Sequence, residues 1–193
     1  LSHIECVGIQ KGTIMKRLLI TSLLLVLLLA LTFVVAPTYV AHASSSGPLT
    51  CLGTSNVQFS PALTNTPQIV DVTIDELYGP CPVSPDPQLT GGSLHLEATR
   101  PNASCTALLG GSPEQQIFHW SNGSSSTVTF TLVSVNRLVN GTTQVIETGS
   151  VTSGFDRGFL VTKTVTFPTF SLACDTTGLS SNSGPVVLAF VGL

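Results

Sequence analysis

The sequence predicts an all-β domain: a single antiparallel β-sandwich of about eight strands, immunoglobulin-like in general architecture, with a closed barrel as the alternative. Three observations lead there. Apolar and polar residues alternate with period two, as where Val128, Phe130 and Leu132 interleave with Thr127, Thr129 and Thr131. Turn formers rich in Gly, Pro, Asn and Ser interrupt those segments roughly every 8–15 residues. Beyond Ala43, Ser and Thr exceed a quarter of the residues, while the helix formers Lys, Glu and Ala are scarce.

The first part of the chain reads as a targeting segment. Met15-Lys16-Arg17 is a charged start, Leu18 to Ala36 an apolar run, and Ala41-His42-Ala43 an A-x-A cleavage site. Pro37 and the small residues after it argue against a retained anchor, as does the lack of a basic cluster beyond. The expected division is therefore a leader over 1–14 that fits no part of a signal, a secretory signal peptide over 15–43, and a secreted sandwich domain over 44–193. The signal helix is removed, and contact with the membrane is transient.

The domain's strands follow in order. Thr54 to Ser60 places Val57 and Phe59 on one parity and stops at Pro61. Ile69 to Leu77 puts Val70, Val72 and Ile74 inward and Asp71, Thr73 and Asp75 outward. Cys81 to Gly92, with Pro82, Pro85 and Pro87, is a long loop. Leu94 and Leu96 face inward in a third strand, with His95 and Glu97 outward, as far as Pro101. Asn102 to Gly111 is a helical turn or a loop over the core. Gln115 to Trp120 leads into the long hairpin of Ser126–Val139 and Thr142–Ser153, joined by a type I′ turn at Asn140-Gly141. The apolar step Leu132-Val133 inside that hairpin signals a β-bulge. In Phe159 to Phe167, Lys163 shares the parity of Val161 and Val165, which calls for either a bulge or an edge strand guarded by an inward charge. A polar loop from Asp175 to Gly184 and a final strand from Pro185 to Val191 complete the sheet.

Four cysteines follow the cleavage site: Cys51, Cys81, Cys105 and Cys174. An even number in an exported chain points to two disulfides, and no C-x-x-C pair suggests zinc instead. Three pairings are open on spacing; Cys51–Cys81 with Cys105–Cys174 is preferred. The domain carries four cations (Arg100, Arg137, Arg157 and Lys163) against nine acids, a formal charge of −5. That composition excludes a basic surface for nucleic acid.

No constellation of catalytic groups emerges. There is no G-x-S-x-G elbow. His95 and His119 are assigned to outward strand faces. Asp75, Glu76, Glu97 and Glu147 are read as solvated acids, since a glycosidase pair needs two carboxylates converging on one cleft beside several aromatics. Asp86, Asp156 and Asp175 are loop carboxylates without a calcium-loop pattern. No enzyme activity, cofactor or metal is expected. The chain is read as a module that binds an extracellular protein or a cell-envelope component through the loops at Asp86 and at Phe155, Asp156 and Arg157. The alternatives are a carbohydrate-binding module with Trp120 and Tyr78 as platforms, or an accessory subunit of a secreted toxin or inhibitor assembly.

Several short motifs bear a resemblance. These are Thr50-Cys51-Leu52-Gly53, Phe59-Ser60-Pro61-Ala62-Leu63-Thr64, Cys81 with Ser84, Asp86 and Pro87, and Cys105 with Leu108-Leu109-Gly110. Trp120-Ser121-Asn122-Gly123, Val151-Thr152-Ser153-Gly154 and Cys174 complete the set. Together they resemble small secreted four-cysteine β-sandwich proteins of filament-forming bacteria. The resemblance implies an exported domain without an assigned activity, and it transfers no catalytic residue.

Overall fold

A computed structural model describes residues 46–105, 114–139, 141–168 and 171–192. They belong to a compact unit spanning Ser44–Leu193. The expected cleavage residues Ala41 and Ala43 lie outside the described residues, as do the leader, Leu108-Leu109 and Asn140.

Eight strands form among the described residues: β1 (Leu49–Leu63), β2 (Gln68–Tyr78), β3 (Gly92–Ala103), β4 (Glu114–Trp120), β5 (Ser125–Arg137), β6 (Thr143–Gly154), β7 (Leu160–Phe167) and β8 (Leu179–Val191). One short helix, α1 (Ser171–Cys174), precedes β8. Each strand pairs antiparallel with the next, and β1 pairs with β8, so the sheet closes into a barrel.

The expected β-sandwich is thus corrected to an eight-stranded up-and-down barrel, and the immunoglobulin-like arrangement falls with it. Alternation and turn spacing are the same in either architecture. What separates them is which strands meet: here every connection joins neighbours, and the register Leu49↔Phe190 through Gln58↔Ser181 removes both free edges. β1 and β8 also begin earlier than their apolar patterns suggest, because the polar stretches around Thr50 and from Leu179 to Gly184 are held in that ladder.

β7 is no edge strand and carries no bulge. It pairs with β6 from Leu160 to Phe167 and with β8 from Leu160 to Val165. Lys163 therefore points into the barrel in regular alternation with Val161, Val165 and Phe167. The bulge expected in β5 is present as a register shift between Phe130 and Leu132. The type I′ turn expected at Asn140-Gly141 includes a residue outside those described; beside it, Leu138 N–H donates to the Thr142 carbonyl at 2.8 Å and Gly141 takes φ 84°.

The interior is layered. At one end Tyr78, Phe118, Trp120 and Phe190 form an aromatic plug, with Phe118 stacked on Trp120 at 5.9 Å and Phe190 edge-on to Trp120 at 5.7 Å. The Trp120 indole N–H donates to Ser126 Oγ at 2.9 Å, which satisfies its one polar atom. Gly92 lies beneath this ring: a Cβ there would stand 2.6 Å from the indole. At the other end Val57, Phe59, Val72, Val145, Val165 and Phe167 line the wall. Burying each such side chain contributes about 1.5–3 kcal/mol. Two disulfides tie loops to the barrel, Cys51–Cys81 and Cys105–Cys174, the pairing preferred on sequence.

Candidate functional site

Between the plug and the apolar wall lies a layer of buried polar side chains. Strand register assembles it. Ser55 on β1 stands opposite Glu76 on β2, and Glu147 on β6 stands opposite Lys163 on β7. Direct cross-strand partners have neighbouring Cβ atoms, so both pairs are placed by the ladder itself. Gln116 on β4 reaches the same layer from across the lumen.

The contacts interlock. Lys163 Nζ lies 2.6 Å from Glu147 Oε2, 3.4 Å from Glu76 Oε1 and 2.8 Å from Gln116 Oε1. Ser55 Oγ donates to Glu76 Oε1 at 3.1 Å, and the Tyr78 hydroxyl donates to Glu76 Oε2. Gln116 Nε2 approaches Glu147 Oε2 at 3.5 Å. The ammonium also sits 5.5 Å from the Phe130 ring centroid, a cation–π contact.

Burial acts on Lys163 by favouring the neutral amine, but Glu147 and then Glu76 outweigh it, and its pKa stands above the ordinary lysine value. The residue is a fixed cation, not a nucleophilic amine. For Tyr78, burial first and the charge of Glu76 second raise the pKa well above 10.0. Its hydroxyl remains a donor at neutral pH.

A cavity of about 40 Å³ adjoins this layer, lined by Ser55, Glu76, Glu147 and Lys163 at its base and by the Val, Ile and Phe side chains of β1, β2, β6 and β7 on its wall. By volume it holds a few water molecules or a small ligand group. Val57, Phe59, Val72 and Phe167 keep between 5% and 8% of their surface exposed, whereas Leu49, Cys51 and Phe118 keep none.

The residues singled out from sequence fall elsewhere. Trp120 and Tyr78 are buried within the barrel, so neither ring forms a solvent-facing sugar platform. The Asp86 carboxylate accepts from Gln88 N at 2.9 Å within its own loop and from Asn122 Nδ2 at 2.8 Å, which ties that loop to the β4–β5 connection. Phe155 is packed inward and Arg157 is exposed. Asp156 is 4% exposed in a left-handed turn at φ 57°, with Oδ1 accepting from Gly47 N at 3.3 Å and Oδ2 buried without a hydrogen bond. Burial lifts its pKa from 3.8 to about 6, opposed in part by the Gly47 bond. His95 and His119 lie on the outer face as expected, and His95 Nδ1 is 2.6 Å from Asp75. No group of three metal-ligating side chains converges among the described residues.

The solvated reading holds for Asp75 and Glu97 but is corrected for Glu76 and Glu147, both at most 5% exposed. Parity was the signal. Glu76 continues the inward series Val70, Val72, Ile74, and Glu147 follows Val145. The lone inward lysine required carboxylates facing it. Comparison with known proteins finds no matching protein family, no similar curated protein and no similar solved structure.

Proposed function

We propose that the protein is an exported, non-catalytic binding barrel that takes a small ligand into its interior. The observation that carries this reading is the buried Glu76–Lys163–Glu147 layer at the base of a cavity with apolar walls. Ligand pockets are concave and mostly apolar, with a few convergent polar groups that fix orientation. A polar head at Glu147 and an apolar body between Val57, Phe59, Val145 and Phe167 match that division.

Lys163 held as a cation, and Tyr78 held as a phenol, favour binding over covalent or acid–base chemistry at neutral pH. The expected association with an extracellular protein or envelope component becomes, in this reading, uptake of a small molecule from the surroundings. Export is supported by the signal-like N-terminus, and the two disulfides are compatible with an extracellular location.

The test is an NMR fragment screen with small alcohols, amines and carboxylates. Binding should shift Ser55, Ile74, Val145 and Val165 together. Shifts confined to the loops around Asp86 and Arg157, or none at all, would refute it.

A further inference from the structure

We infer that the ligand group received at the base of the cavity is a cation, an ammonium or similar nitrogen donor carried on a small apolar body. This rests on the interior-binding reading and names its chemistry. The argument is one of donors, acceptors and charge.

Lys163 has three N–H donors. Its acceptors are also three: Glu147 Oε2 at 2.6 Å, Gln116 Oε1 at 2.8 Å and Glu76 Oε1 at 3.4 Å. No donor remains on Lys163 for an incoming anion. The hydroxyls of Ser55 and Tyr78 are likewise committed, both to Glu76. Glu76 therefore carries three donors on its two oxygens, and its side chain is 1% exposed.

Glu147 differs. Its contacts with Lys163 and Gln116 both fall on Oε2, so Oε1 has no hydrogen-bond partner among the described residues. Its side chain keeps 7% exposure, against 2% for Lys163, and it lines the cavity. The vacant capacity at the cavity base is thus an acceptor on a carboxylate.

Charge points the same way. One ammonium faces two carboxylates, leaving the layer with a formal charge of −1 inside an apolar barrel. Uncompensated charge in such surroundings is costly, and a bound cation would neutralise it while donating to Glu147 Oε1. An anionic ligand would add to the imbalance. A neutral alcohol could donate one hydrogen bond but would leave the charge standing.

Isothermal titration calorimetry with a matched series, n-butylammonium, n-butanol and butyrate, tests this on the full chain. The ammonium should bind at least about tenfold more tightly than the alcohol, with butyrate undetectable, and Glu147→Gln should abolish the ammonium's advantage. Equal binding of alcohol and ammonium would overturn the inference while leaving the interior site intact, and so would preferential binding of butyrate. Failure of all three on folded protein would remove the interior site as well. The wild-type series is decisive even if Glu147→Gln does not fold; Val145→Phe, which fills the cavity beside the carboxylate, then confirms where binding occurs by eliminating it.

Discussion

Glu147 and Lys163 are direct cross-strand partners on β6 and β7, and their charged atoms meet 2.6 Å apart in the barrel interior. A buried pair of this kind is fragile in one direction. Removing one partner strands the other's charge, while removing the whole set with apolar replacements is often tolerated.

Lys163→Met should accordingly destabilise the protein by about 3–5 kcal/mol, because both Glu76 and Glu147 lose their counter-ion. Lys163→Met combined with Glu147→Leu and Glu76→Gln should recover most of that loss. Urea titrations of the single and triple variants check this; a triple variant no more stable than the single would contradict it.

The same layer sets the alkaline limit. Lys163 and Tyr78 both hold their protons more tightly when folded, so the stability they confer is complete below their ordinary range and falls as pH rises past about 10. Tyr78 phenolate absorbance, taken as the difference from Tyr78→Phe, should emerge with unfolding and not before it. Titration of Tyr78 in the native state near its ordinary pKa would count against this.

At the acid end Asp156 acts in the opposite sense to a salt-bridged carboxylate. Its folded pKa of about 6 exceeds the ordinary 3.8, so the native state binds more protons between those values, and its contribution falls as pH rises through them. Asp156→Asn removes the buried charge and tolerates the left-handed backbone. Its melting temperature should exceed that of the wild type at about pH 7, and the gap should close near pH 3.5. A constant gap across that range would show that the carboxyl's ionisation is not the cause.

Gly92 is a packing test of the plug. Gly92→Ala would place a methyl 2.6 Å from the Trp120 ring and 2.8 Å from the His119 carbonyl. The expected cost is about 1–3 kcal/mol, with a change in the emission of the single tryptophan as its bond to Ser126 is strained. Unchanged emission and stability would show that the ring has room to move.

Each disulfide should be worth about 4 kcal/mol on chain-entropy grounds, with Cys105–Cys174 slightly ahead because it closes 69 residues against 30 for Cys51–Cys81. Double Cys→Ala variants compared under urea would reveal the order. Loss of the shorter bridge costing clearly more would point to an effect beyond loop closure.

Spacing leaves three cysteine pairings open, and the preferred one, Cys51–Cys81 with Cys105–Cys174, is the one formed. Strands and bulge were legible because each is written locally: alternation in Val70–Ile74 and the doubled apolar step at Leu132-Val133. Closure was not. It depends on Leu49 meeting Phe190, a pairing between distant segments that no local pattern encodes. The polar layer was half legible. Lys163 shares the apolar parity of its strand, which on sequence calls for either a bulge or an edge strand, and neither reading draws on the matching parity of Glu76 and Glu147. Ser55 and Gln116 gave no comparable signal, since uncharged polar residues occur on either face of a strand.

The ladder between β1 and β8 also dictates an order of events. Hairpins can zip as soon as both arms exist, but β1 must wait for the last strand, across nearly the whole domain. Until then two raw edges remain open to other chains, with Leu49, Cys51 and Val57 uncovered beside one of them. Shortening the chain within β8 would not trim the barrel; it would leave it permanently at that unfinished, association-prone stage.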